Sequence, residues 1–314
     1  MEQKQYSLLR DRNLHIIFAI TLIAIMGVSS ITPAFPQIVD HFNITAQKVG
    51  WLITAFTLPG VVLTPILGIL ADRFGRKKIL VPSMFLFAFA GAACFFAENF
   101  TVLVIFRLVQ GIGGASIGAL NLTLIGDIFS GNNRTTAMGY NASVLSVGTA
   151  SYPIIGGALA TIGWYVPFLL PVLAVPVGLV VIFRLNNPEP EQYQQLTEYL
   201  KGAWENVKNA QILGLFILSI ITFIILYGSY LTYFPFLINH RFQGDAFVIG
   251  IIMSTMSFTT ALTSSQLGRL TARASQKRLI ILAFVLYAIS LTIIPFIRNI
   301  YLLLIPTIIF GVAQ

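Results

Sequence analysis

Residues 68–80 read Gly-Ile-Leu-Ala-Asp-Arg-Phe-Gly-Arg-Lys-Lys-Ile-Leu, a short segment whose charged residues all lie between Asp72 and Lys78. This segment separates two stretches that contain no Asp, Glu, Lys or Arg, residues 49–71 and 79–97. A helix that crosses a bilayer needs roughly 20 mostly apolar residues. The charged segment is therefore predicted to be a tight loop between two membrane-spanning helices.

The whole chain shows this alternation of uncharged stretches and polar connections. Hydrophobic residues make up 56% of the sequence and charged residues 10%, whereas a soluble domain carries about 25% charged residues. This excludes a soluble enzyme, a disordered chain and a disulfide scaffold, and the lone Cys94 is expected in the core. Further uncharged stretches are residues 13–39, 135–183, 209–240, 246–268, 279–297 and 299–314, and residues 99–126 contain one charge, Arg107. We predict an all-α membrane protein with nine full spans and a tenth that is cut short.

The distribution of basic residues predicts the topology. The formal net charge is +8. If the N-terminus is inside, only Lys48, Arg241 and Arg298 fall in outer loops, while nearly all other Lys and Arg residues fall in inner loops. The positive-inside rule then predicts a cytoplasmic N-terminus in the cell membrane, with the first span retained rather than cleaved as a signal peptide. The basic side would face anionic lipid, which removes the need for a nucleic-acid partner.

The sequence divides into two related halves. We predict a six-span bundle at residues 1–184, a cytoplasmic inter-domain loop at 185–208, and a second bundle at 209–314 with spans seven to nine and part of ten. The second half repeats the first without a gap, so that Gly68, Leu70, Arg73 and Lys77 recur as Gly268, Leu270, Arg273 and Lys277. Parallel repeats of this kind are typical of one large class of transporters.

The same register predicts an incomplete second half. Gln314 corresponds to Gly114, which lies midway through the predicted fourth span. The chain is therefore expected to stop inside its tenth span, without spans eleven and twelve, and to be inert in transport by itself.

Each part of the loop at residues 68–80 has a physical task. Gly68 permits close approach of a neighbouring helix, Asp72 accepts hydrogen bonds or pairs with Arg, and Gly75 permits a tight turn. The segment is similar to the loop signature of the major facilitator superfamily. The resemblance implies a gating loop that consists of Gly68, Asp72, Arg73, Gly75, Arg76 and Lys77.

The fourth span contains a basic residue at membrane depth. Arg107 is the ninth residue counted from Asn99, about 13 Å along a helix, and an isolated Arg there costs on the order of 2.5–3.5 kcal/mol. It is expected to be paired or to line a cavity, unless it snorkels outward. The span resembles the fourth-helix motif of proton-coupled facilitators, which implies a coupling role for Arg107 and for Gln110, three residues further on the same face.

Two further segments resemble antiporters of the same superfamily. Gly148, Pro153, Gly156 and Gly157 in the fifth span match the antiporter signature of the drug-efflux branch, although Tyr152 stands where that signature has glycine. Small residues there permit close helix packing, and proline is expected to bend the helix. The paired prolines at residues 32–38 look like a segment of twelve-span drug/proton antiporters.

Candidates for proton coupling and for the substrate cavity complete the site predictions. Asp and Glu are absent from the middle of the predicted spans. The acidic candidates for proton coupling, in addition to Arg107 and Gln110, are therefore Asp40 and Asp127, which lie near span ends. His15 and His41 are further options. Tyr227, Tyr230, Tyr233 and Thr259 are candidates to line an amphiphilic cavity. Interface-belt and helix-packing roles remain open for the aromatic residues. No metal site is predicted.

The resemblance implies a major facilitator fold with two pseudo-symmetric six-helix bundles, the second incomplete. It further implies alternating access, with inward proton flow driving export of a small organic molecule by a monomer in the lipid bilayer, without a bound cofactor. Sugar or metabolite uptake or efflux is a second hypothesis, and an inactive truncated fragment is a third. A polytopic membrane enzyme is a fourth, but it requires clustered His, Asp or Glu, and the three His residues are scattered.

Overall fold

The computed structural model describes residues 8–186 and 210–314. Among these residues, nine helical runs are long and apolar enough to cross a membrane, which confirms the predicted number of full spans. Spans 1 to 9 are, in order, Arg12–Phe42, Ala46–Phe74, Arg76–Phe95, Phe100–Ile128, Gly131–Ala160, Val166–Arg184, Ile212–Phe242, Ala246–Ser265 and Gln276–Phe296. A shorter apolar helix, Ile300–Ala313, follows and is called span 10. Most of the predicted inter-domain loop at 185–208 lies outside the described residues.

Polar residues at the span ends act as helix caps. The side chain of Asp11 accepts the backbone N–H groups of Asn13 and Leu14, and Asp245 accepts the N–H of Val248 at the start of span 8. Such caps satisfy N–H groups that have no partner inside the helix. These carboxylates therefore define where the spans begin.

The loops lie at two ends of the helical assembly. We call the end that carries Gly75, Arg76 and the start of span 1 the basic end. The end that carries Asn43 and Asp245 is called the opposite end. Gly75, between spans 2 and 3, has a φ of +99°, which agrees with the tight turn predicted there because glycine adopts positive φ without a steric penalty.

Several spans are not uniform α-helices. Span 1 contains a 3₁₀ turn at Thr32–Ala34, around Pro33, and continues as an α-helix over Phe35–Phe42. Span 6 begins as a 3₁₀ helix over Val166–Leu173. Span 7 is a π-helix over Ile224–Tyr233. Span 1 therefore changes its helix type locally at its prolines.

Among the described residues, the two halves share a buried cluster only at the opposite end. One cluster of buried residues at this end, which includes Phe35 and Trp164 of the first half, also includes Phe236 of span 7 and Ala246 of span 8. A separate cluster of the second half is centred on residues such as Phe310. Contacts between the halves at the opposite end therefore belong to the packed interior.

Candidate functional site

An ion cluster at the basic end joins the loop after span 2 to span 4. Arg76 pairs with Asp72 one turn earlier, and its Nε donates to Oδ2 of Asp127 at 2.9 Å. The Arg76 side chain is buried, while Asp72 and Asp127 are 27% and 23% exposed. One guanidinium thus holds two carboxylates from different spans, as its planar fork of donors allows. The structure therefore places Asp127 with the loop at Gly75, whereas the sequence grouped it with Arg107.

The same loop also holds the end of span 6. Nζ of Lys77 donates to the backbone carbonyls of Ile182 at 2.9 Å and Leu185 at 3.0 Å, and Arg12 donates to the carbonyl of Arg184 at 3.2 Å. Cations at a helix C-terminus satisfy its free carbonyls. Lys77 therefore connects the loop to the point at which the first half ends.

One expectation for the loop needs correction. A Cβ atom built at Gly68 would meet no atom of the described residues within 4 Å. No helix of the described residues makes the close approach to Gly68 that the sequence predicted, because this part of span 2 faces away from them, with Val61 and Ile66 exposed as well. Arg73 is also exposed and lies 5.6 Å from the ring of Phe74.

Spans 5 and 8 make close backbone contact across the two halves, near the opposite end. A Cβ at Gly157 would collide with the carbonyl oxygen of Ala246, and a Cβ at Gly250 would collide with the carbonyl oxygen of Pro153. Only glycine permits this approach of two helix backbones. We call this pair of contacts the span 5–span 8 contact. Gly250 was not predicted as a site residue, because a single glycine in an apolar span gives no signal of its partner.

The other signature residues of span 5 pack within the first half. A Cβ at Gly156 would collide with the carbonyl oxygen of Ser30 in span 1. Tyr152 is buried, and its ring lies 3.5 Å from the position of a Cβ at Gly148, one turn earlier. The tyrosine that departs from the antiporter signature therefore fills space beside Gly148 and leaves the contacts of Gly156 and Gly157 in place.

Arg107 is fully enclosed in the first half. Its side chain is 1% exposed, so it does not snorkel, and Gln110 is 0% exposed. Nε of Arg107 donates to the carbonyl oxygen of Leu52 at 3.2 Å, and Nη1 donates to Oε1 of Gln110 at 2.7 Å. The guanidinium lies 4.4 Å from the ring centroid of Phe56. The predicted pairing of Arg107 is thus provided by neutral groups of spans 2 and 4.

A buried polar group joins spans 1, 4 and 5 and was not predicted. Thr21 donates to Oδ1 of Asn141, and Nδ2 of Asn121 donates to the Thr21 hydroxyl at 2.7 Å. All three side chains are buried. The residues are far apart in the sequence and uncharged, so no local pattern indicated them.

The remaining candidates occupy varied positions. Asp40 is exposed at the opposite end, and the ring of His41 lies against that of Trp164 at a tilt of 39°, with ring centroids 4.9 Å apart. Tyr230 lies in the core of the second half, where its hydroxyl donates to the carbonyl of Met253 at 3.2 Å and its ring stacks on Phe310. Tyr227 and Thr259 are partly buried, Tyr233 is exposed, and His15 lies near the basic end of span 1. Within the described residues no group of His, Cys, Asp and Glu suited to a metal ion was found.

Two helical halves that meet through glycine contacts, with a basic loop and an enclosed arginine in the first half, define a multi-pass membrane transporter. The chain belongs to the Major Facilitator Superfamily, whose sequence model matches residues 17–314. Members of this family are transporters and not enzymes. The resemblance to the major facilitator superfamily that the motifs indicated is therefore confirmed.

Curated relatives of this chain include exporters of Bacillus subtilis (strain 168). The bacillibactin exporter is 26% identical over 265 residues, which cover 79% of this chain and 66% of the relative. Multidrug resistance protein 2 is 25% identical over 281 residues, which cover 87% of this chain and 70% of the relative. The chain thus spans about two thirds of the length of these relatives.

Solved structures show the same fold. The nucleoside transporter NupG superposes with a TM-score of 0.80 at 14% identity, over 96% of this chain and 80% of that one. A bacterial homologue of the human lysosomal transporter Spinster, in an inward-facing and unoccupied conformation, gives a TM-score of 0.72 at 17% identity, over 96% of this chain and 73% of that one. These similarities confirm the predicted major facilitator fold.

Proposed function

We propose that this chain belongs to a proton-coupled exporter of small organic molecules that works by alternating access, in the cell membrane. The relatives named as a bacillibactin exporter and a multidrug resistance protein favour export. The observation that carries the proposal is the span 5–span 8 contact, because it joins the two halves through the span that resembles the antiporter signature.

The orientation follows from the basic residues. We assign the basic end to the cytoplasm, because cytoplasmic loops carry an excess of Lys and Arg. The span 5–span 8 contact then closes the outer side. Toward the cytoplasm, Gly139 of span 5 has no neighbour within 4 Å of a Cβ and Leu262 of span 8 is exposed, from which we infer that the two spans separate there. This arrangement corresponds to an inward-facing state in the proposed cycle.

Proton coupling is assigned to groups of the first half at three depths between the outer side and the cytoplasmic side. Asp40 is an exposed carboxylate at the outer side, Arg107 and Gln110 lie at depth, and Asp127 lies at the cytoplasmic side. Asp127 shares the Arg76 guanidinium with Asp72, so a proton path that ends at Asp127 would end at the ion cluster beside the loop.

The substrate pathway is assigned to the surfaces of the two halves that face each other. Tyr227 stays a candidate there as a partly buried side chain, whereas Thr259 packs beside Gly311 of span 10 and Tyr230 contributes through the core of the second half. Aromatic and hydroxyl groups on such a surface suit amphiphilic organic molecules.

The proposal is tested with a complete twelve-span version of the protein, by transport into everted membrane vesicles. A fluorescent amphiphilic cation is expected to accumulate when the vesicle lumen is acidified, and to leave when a protonophore removes the gradient. Gly157→Ala is expected to reduce the rate strongly, because the new methyl group opposes closure of the outer side. Gly139→Ala on the same span is the matched control, since its methyl group would meet nothing within 4 Å. Accumulation that is independent of the proton gradient would contradict proton coupling.

A further inference from the structure

Two buried hydrogen-bond donors beside each other in the first half have no partner. Nη2 of Arg107 and Nε2 of Gln110 are both shielded from solvent, and no acceptor among the described residues lies within hydrogen-bond distance of either. The other polar atoms of these two side chains have partners, because Nη1 of Arg107 donates to Oε1 of Gln110 and Nε of Arg107 donates to the carbonyl oxygen of Leu52. An unmet donor in an apolar interior is costly. The free pair therefore points to a missing acceptor.

The charge of Arg107 also lacks a counterion. In the described part of the chain, the carboxylates found in ion pairs are Asp72 and Asp127, and both pair with Arg76. Arg107 instead has a carbonyl oxygen, an amide oxygen, the ring of Phe56 and the Cys94 thiol in its surroundings. These neutral groups reduce the cost of burying a cation but do not neutralise it. A negative charge at this place would do so.

The geometry favours a small acceptor. The hydrogen bond between Nη1 and Oε1 ties the guanidinium to the amide, so that Nη2 and Nε2 belong to two groups held together. The wall beside Nε2 is Gly91 of span 3, where a Cβ would lie 2.7 Å from Nε2 and 2.5 Å from Cβ of Pro171. Gly91 and Pro171 thus already fill the space on this side of Nε2, so an acceptor has to be small and has to approach from the side of the guanidinium. Both free groups can only donate, which suits an anion.

We propose that Arg107 and Gln110 form a binding site for a small inorganic anion of the size of chloride. The anion accepts hydrogen bonds from Nη2 and Nε2 and neutralises the guanidinium. It thus takes the place that a carboxylate occupies in an internal ion pair. A buried water molecule would accept the same hydrogen bonds but would leave the charge unpaired.

The test measures stability and is therefore independent of the proposed transport function. The full chain is purified in detergent, and its thermal unfolding is followed in sodium chloride, in sodium bromide and in sodium gluconate at equal ionic strength. A ligand that binds only the folded state raises the melting temperature in a saturable manner. We expect the melting temperature to be several degrees higher in chloride and bromide than in gluconate, whose anion is too large for the site.

Three variants assign the effect to this site. Arg107→Met removes the cation and is expected to abolish the halide-dependent shift, since apolar replacement of a buried charge is often tolerated. Gln110→Glu supplies a carboxylate beside Arg107 and is expected to raise the melting temperature in gluconate and to abolish the shift. Arg241→Met is the control, because exposed Arg241 also has neutral partners, the carbonyl of Pro295 at 2.9 Å and the ring of Phe242 at 5.5 Å. It should keep the full shift.

Equal melting temperatures in halide and gluconate for the unchanged chain would overturn the proposal and favour water or an empty site. A shift that persists in Gln110→Glu would also overturn it, because the added carboxylate should displace the anion. If Arg107→Met fails to fold, Gln110→Glu still decides the question, since it retains the arginine and nearly the size of the glutamine.

Discussion

Substitution by alanine is expected to have different effects at two adjacent glycines of span 5. It should lower the stability of the fold at Gly156 and shift the equilibrium between conformations at Gly157. A methyl group at Gly156 would collide with the carbonyl oxygen of Ser30 and lie 2.6 Å from its carbonyl carbon, within the first half. A methyl group at Gly157 would collide with the carbonyl oxygen of Ala246 and lie 3.1 Å from its carbonyl carbon, across the halves. In both cases the obstacle is backbone, which cannot rotate away as a side chain can.

The magnitude follows from the cost of overpacking, about 1–3 kcal/mol. For Gly156→Ala this cost applies in every conformation in which the first half is folded, so stability should fall. For Gly157→Ala it applies only while spans 5 and 8 touch. The equilibrium between conformations should therefore shift away from that state by about 5- to 150-fold, since 1.4 kcal/mol corresponds to a factor of ten.

The assay combines unfolding with a distance measurement. Spin labels at Glu98→Cys and Arg298→Cys report the separation of the halves at the opposite end, because both residues are exposed there. The native Cys94 is buried and should not react with the label. Gly157→Ala is expected to increase the population with a long distance at a nearly unchanged melting temperature, and Gly156→Ala to lower the melting temperature at an unchanged distance.

Gly139→Ala serves as the control for both readouts. The reasoning is refuted if Gly157→Ala lowers the melting temperature as much as Gly156→Ala does and leaves the distance distribution unchanged. That result would mean that the span 5–span 8 contact is a permanent part of the fold rather than one state of a moving interface.

Three further predictions concern charged residues. In a complete version of the protein, Asp72→Asn should sharply reduce transport while the protein inserts normally, as measured by efflux rates at equal membrane levels; unchanged efflux would remove Asp72 from the gating role. Arg76→Met should destabilise the chain by about 2 kcal/mol, below the upper range for a broken buried pair because both carboxylates are partly exposed. Asp127→Asn in the same chain should recover part of that loss in unfolding experiments, and additive losses would argue against direct coupling. In the same complete version, Arg107→Lys should fail to support export in vesicles, because lysine cannot reproduce the planar fork that reaches Leu52 and Gln110; normal export would show that charge alone suffices.

The features that sequence predicted well depend on local composition. The spans follow from uncharged stretches of sufficient length, and the turn at Gly75 follows from a glycine between two apolar runs. The enclosure of Arg107 followed from the cost of a charge at membrane depth. In each case the physical reason acts within one segment, so that the segment alone carries the information.

The features that sequence missed depend on which spans meet. Gly250 matters because it faces Pro153, and Asp127 matters because it faces Arg76. Neither residue stands in a pattern that names its partner. Gly68 shows the reverse case, since its signature position predicted a close contact that the described residues do not supply. Contacts between spans are set by packing of the whole assembly, which a single sequence taken alone does not reveal.

The surroundings of Arg107 limit how it can act in a transport cycle. Its partners Leu52 and Phe56 belong to span 2, and a Cβ at Gly111 would collide with the carbonyl oxygen of Phe56. Spans 2 and 4 are thus locked backbone to backbone at the level of the guanidinium, and Arg107 moves with the first half as one body. A rocking motion of the two halves leaves these contacts unchanged. A change in the electrostatic state of Arg107 therefore has to come from an ion, a proton or a ligand that enters the first half, and not from contacts made and broken between the halves.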